Sequence, residues 1–181
     1  NNTNHDLTNL TFVDQNHGWI VGRNGVVLHT TGGGENWLLQ NSGTNFSLKA
    51  VEFTDHLKGW IIGGDITGNG AEGIILRTTN SGQEWTNITP FAVPRLFGVS
   101  FVDSLHGWVI GGGGSLYDFG IILHTSDGGD NWIVQRQNPE LNLRDVEFVD
   151  STNGWAVGYD PETDGQIIHT RDGGLTWQSQ F

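Results

Sequence analysis

The chain repeats itself four times. Segments 7–22 (LTNLTFVDQNHGWIVG), 48–63 (LKAVEFTDHLKGWIIG), 96–111 (LFGVSFVDSLHGWVIG) and 143–158 (LRDVEFVDSTNGWAVG) align without a gap. From Phe12, Phe53, Phe101 and Phe148 to the first tryptophan of each unit (Trp19, Trp60, Trp108, Trp155) is 7 residues, and from Gly25, Gly73, Gly120 and Gly165 to the second (Trp37, Trp85, Trp132, Trp177) is 12. The second tryptophan precedes the next phenylalanine by 16 in all three cases. Only the step from first tryptophan to glycine varies, as 6, 13, 12 and 10 residues. A unit of this size is one supersecondary element that buries its apolar face only against its neighbours, so the fold is an array.

Within a unit the apolar residues alternate or run in short bursts bounded by Gly, Asn, Asp or Pro, which is strand patterning; no helical stretch is visible. In the second unit the strands are centred on Leu48, Val51 and Phe53, then on 59–63, 73–78 and 85–88. Four short antiparallel strands per repeat make a β-propeller blade. The expected fold is therefore all-β, a propeller of four-stranded antiparallel blades, either four-bladed or part of a larger ring. It forms a single domain over 1–181 with blades near 7–43, 48–90, 96–139 and 143–181. The first strand of a blade lines the axis, and the second-to-third and fourth-to-first connections share one face. Every variable-length loop projects from that face, where function concentrates. No blade is completed by strands from both ends of the chain. A ring closed by side-chain packing, a fragment of a longer ring and two chains joined as eight blades all remain open, with a four-bladed body expected.

The fixed turn between third and fourth strands reads TTGGGENW, TTNSGQEW, TSDGGDNW and TRDGGLTW. It resembles the Asp-box, or bacterial neuraminidase repeat, with Asp127 and Asp172 at the named position, Asn80 substituting in the second unit and Gly32 in the first. A short polar side chain there bonds nearby amides and holds the turn. Gly32 cannot, which makes the first turn the loosest. Together with Leu-x-x-Val-x-Phe and the GWxVG pair, the unit resembles the repeat of the photosystem II assembly and stability factor family and its secreted bacterial relatives. The resemblance implies a propeller that holds a protein client. The photosynthetic members have seven blades and an arginine-lined surface. This chain departs from them, with six arginines, 8 Lys plus Arg against 20 Asp plus Glu, and a net charge of −12.

That charge argues against nucleic acid and against an anionic membrane surface, and no apolar run reaches the roughly 20 residues of a spanning helix. Cysteine is absent, which removes disulfides and thiolate chemistry. Methionine is absent too, so residue 1 is not read as a translation start. The expected location is extracellular or periplasmic, reached by a signal peptide that is not in this chain.

The tryptophans, in strict register, read as core, although a ring of exposed ones would suit glycans. His29, His124 and His169 share one position, held by Arg77 in the second unit, and belong to separate blades, so they read as structural. Asp14, Asp55, Asp103 and Asp150 recur as turn residues. Asp65, Thr67 and Asn69, and likewise Asp160, Glu162 and Asp164, place oxygens at positions 1, 3 and 5 before a glycine, the opening of a calcium loop, but neither has the glutamate at position 12. Calcium is the one cofactor the sequence allows for. A sialidase would need an arginine trio beside Tyr117 or Tyr159, and none is apparent. No catalytic residue is therefore assigned.

The expected function is that of a non-catalytic interaction or scaffold module, binding a protein partner or itself through its variable-loop face. The surface expected to do so comprises Ile66, Asn69, Glu72, Phe91, Arg95, Leu116, Tyr117, Asp118, Phe119, Tyr159, Asp160 and Glu162. The stretch SLYDFG supplies the aromatic anchor. A lectin-like propeller is the alternative, and part of a glycoside hydrolase a more distant one.

Overall fold

The computed structural model describes residues 6–67, 70–112, 119–138, 141–159 and 165–180. Among these residues sixteen strands form four antiparallel sheets, each in sequence order. Blade 1 holds β1 (Leu7–Phe12), β2 (Gly18–Gly22), β3 (Val26–Thr30) and β4 (Leu38–Asn41). Blade 2 holds β5 (Leu48–Phe53), β6 (Gly59–Thr67), β7 (Gly70–Thr78) and β8 (Thr86–Asn87). Blade 3 holds β9 (Leu96–Phe101), β10 (Gly107–Gly111), β11 (Gly120–Thr125) and β12 (Ile133–Asn138). Blade 4 holds β13 (Leu143–Phe148), β14 (Gly154–Gly158), β15 (Gln166–Thr170) and β16 (Gln178–Ser179). The only helical turn among the described residues is Arg23–Gly25, which closes the shortest variable loop with Asn24 left-handed at φ 57.

The core lies between blades rather than within them. Trp19 of β2 stacks on Phe53 of the next blade at 3.5 Å, Trp60 on Phe101 at 3.6 Å and Trp108 on Phe148 at 3.5 Å. These three tryptophans are almost completely buried, and burying an aromatic of this size contributes about 1.5–3 kcal/mol. The glycine before each tryptophan has a reason: a Cβ on Gly18, Gly59, Gly107 or Gly154 would lie 2.3–2.6 Å from the ring of its own blade's phenylalanine. On the other side of Trp19 and Trp108 the cross-strand histidines stack, His29 at 4.6 Å and His124 at 4.7 Å, as His169 does on Trp155 at 4.5 Å. In blade 2 Arg77 takes the histidine's place opposite Trp60. The second tryptophans complete the layer edge-on, Trp85, Trp132 and Trp177 meeting Phe53, Phe101 and Phe148 at 5.8–6.3 Å.

Polar contacts repeat with the stacks. The indole N–H of Trp19, Trp60 and Trp108 donates to the carbonyl of Ser81, Gly128 and Gly173, the same turn residue of the following blade. Blades 1 to 2, 2 to 3 and 3 to 4 share this interface. Among the described residues blade 4 makes no such packing on blade 1. Phe12 is 41% exposed, Trp155 is 37% exposed, and no ring of another blade stacks on either. The four blades are thus present in order, and among the described residues the aromatic stacking seen between successive blades does not recur between blade 4 and blade 1.

Candidate functional site: the variable-loop face

Two sets of backbone bonds sort the loops onto opposite faces. The interblade connections meet the hairpin between second and third strands through Gly25 N–H to Phe46 O, Gly64 N–H to Ser47 O, Gly73 N–H to Val93 O and Gly112 N–H to Arg95 O, at 2.7–2.9 Å. The fixed turns meet each other on the other side, through Gly33 to Asn16, Ser81 to Leu57, Gly128 to Leu105 and Gly173 to Thr152. The variable loops therefore share a face, as their lengths led one to expect.

On that face, among the described residues, blade 2 has the longest strands in its second-to-third hairpin, nine residues in β6 and nine in β7, while its outer strand β8 has two, as β16 of blade 4 does. Beside it β7 pairs β8 at Leu76 with Asn87 and Arg77 with Thr86, and the Ile88 N–H donates to Ile75 O at 2.9 Å. Higher up, Ile75 N–H donates to the Thr89 hydroxyl and Gly73 N–H to Val93 O. Alternation along a strand puts the N–H and C=O of Ala71 on that same side, above the last rung. Pro90 lacks an N–H and cannot extend the outer strand, whereas blade 3 runs on through IVQRQN as a six-residue β12.

Beneath this edge lies a groove of about 320 Å³ lined by Phe46, Ala71, Glu72, Ile74, Phe91 and Val93 among others. Glu72 and Phe91, both expected at the surface from sequence, come together here. Ile66 stands opposite Ala71 near the hairpin tip and is 66% exposed. Glu72 accepts a hydrogen bond from the Thr67 hydroxyl at 3.0 Å. Elsewhere on the face, the Arg95 carbonyl caps Gly112, and the Arg95 and Arg144 guanidinium groups lie 5.7 and 4.4 Å from the Phe97 ring centre. Tyr159 is exposed, its N–H bonded to Asn142 O.

Phe119, expected in the anchor, is partly buried and packs against the apolar core between blades 2 and 3. Of the residues expected to open a calcium loop, Asp65 pairs with Glu72 and Thr67 with Gly70 across the hairpin, and Asp65 Oδ2 accepts the Ser47 N–H at 2.8 Å. Asn69, Leu116, Tyr117, Asp118, Asp160, Glu162 and Asp164 lie outside the described residues.

The opposite face carries a cluster that sequence reasoning passed over. Asp14 Oδ2 lies 3.0 Å from His17 Nδ1 and 3.5 Å from His56 Nε2, the last contributed by the corresponding turn of blade 2. The signal available was His56 directly after the recurring aspartate, but only the fold shows that it faces blade 1. The recurring aspartates themselves cap turns, each accepting two backbone N–H groups two and three residues on. Glu52, between blades 2 and 3, accepts Phe101 N–H at 2.8 Å. Burial pushes its carboxyl up to about 8; that N–H opposes the shift, and Glu147 and Asp145 add to it.

The sequence model of the family described as "Photosynthesis system II assembly factor YCF48" matches residues 1–96, just over half of the chain. No curated protein sequence matches it. Among solved structures, YCF48 bound to a D1 peptide is 18% identical at a TM-score of 0.62, over 98% of this chain and 83% of that one. YCF48 from Cyanidioschyzon merolae is 18% identical at 0.61, over 98% and 86%. A GH74 xyloglucanase from Xanthomonas campestris is 13% identical at 0.68, over 97% of this chain but 30% of that enzyme. At such identities these likenesses show the propeller fold.

Proposed function

The chain belongs to the photosynthesis system II assembly factor YCF48 family, and we propose that it is a non-catalytic, secreted propeller that binds an extended segment of a protein partner on its variable-loop face. The observation that carries this reading is the groove beside β7, where the strand runs on through Ala71 past the bonds of Ile75 and Gly73. A segment laid there would add a strand to blade 2, its backbone bonding Ala71 and alternate side chains entering the groove between Phe46 and Phe91. Glu72 and the net charge of −12 favour a basic residue in that segment. The family member bound to a D1 peptide supports a peptide ligand.

The test is titration calorimetry with the D1 peptide and with a panel of peptides carrying Lys or Arg beside an aromatic residue. Phe91→Ala should weaken the best binder about tenfold, equivalent to about 1.4 kcal/mol, and Arg23→Ala, on a different blade, should leave it unchanged. Equal binding by wild type and Phe91→Ala would remove the groove from the account. Secretion belongs to the same proposal and rests on the resemblance to secreted relatives; recovery of the native protein only from the cytoplasmic fraction would contradict it.

A further inference from the structure

We infer that Asp14, His17 and His56 form a site for a transition-metal ion such as zinc. The two separations from Asp14 Oδ2, 3.0 and 3.5 Å, bracket the edge of about 3.3 Å of a tetrahedron whose metal–ligand bonds are about 2.0–2.1 Å, and all three donors lie within 4.8 Å of one another. The ion would bridge blades 1 and 2 and leave a fourth position to water. Blade 3 supplies the control, since Asp103 and His106 make the same pair at 2.9 Å and no group of three metal donors includes them among the described residues. Calorimetry with zinc chloride should show one ion per chain, lost in His56→Ala and kept in His106→Ala. No binding below millimolar zinc, or equal binding by His56→Ala, would overturn the proposal.

Discussion

Gly32 sits where the other three fixed turns have a polar side chain, and the geometry around it shows what that side chain does. In blades 2, 3 and 4 the oxygen of Asn80, Asp127 and Asp172 accepts the N–H four residues on, at 2.8–3.0 Å. The Thr30 hydroxyl still bonds two amides of the first turn, but Gly32 leaves that third bond unmade. A Cβ at Gly32 meets nothing within 4 Å and its φ is not left-handed, so Gly32→Asp should fit and raise the melting temperature by a few degrees, about 0.5–1.5 kcal/mol. A lowered melting temperature would contradict this reading of the turn. The motif was legible residue by residue because it is local. Glu52 was not, since its burial depends on blade 3 lying against blade 2. A carboxyl raised on folding from 4.5 to about 8 stabilises fully below its unfolded value, and that contribution is lost as pH rises through the folded one. Glu52→Gln, which keeps an acceptor for Phe101 N–H, should melt close to wild type at pH 4 and several degrees above it at pH 9. Parallel melting curves for the two proteins across that range would refute the assignment.

At the scale of the element, strand positions followed from alternation and strand lengths did not. The expected strands at 59–63 and 73–78 lengthen into β6 and β7, because polar residues at Asp65, Thr67 and Glu72 extend the ladder into solvent while satisfying one another. The expected fourth strand at 85–88 shortens to Thr86–Asn87, although the Ile88 N–H still bonds Ile75 O. Those two changes together carry β7 past its partner to Ala71, so the groove was half legible: Glu72 and Phe91 from loop position, Phe46 and Ala71 only from packing. Ala71→Pro should leave the fold intact, since its N–H points away from β6, and should weaken peptide binding about tenfold by removing a donor from the edge. An unaffected affinity would mean that the ligand does not add as a strand.

For the whole molecule, the fourfold period made the propeller readable from the order of residues alone, because register fixed the tryptophans, phenylalanines and glycines of every interface at once. Closure was not readable: whether blade 4 reaches blade 1 depends on the angle between blades, which no spacing encodes. The consequence is an asymmetry among equivalent residues. Phe101→Ala should cost about 3–5 kcal/mol, because Phe101 is sandwiched between Trp60 and Trp132, and Phe12→Ala should cost the isolated chain far less, as its outer side faces solvent. Equal losses in denaturant titrations would mean that Phe12 is covered. The central claim, that a partner segment joins blade 2 along β7, is tested most directly by hydrogen exchange over the entire chain with and without the D1 peptide or the best binder of the panel. Protection gained at 70–75, with blades 1 and 4 unchanged, is the predicted result. Protection confined to other blades, or none at saturating peptide, would contradict it.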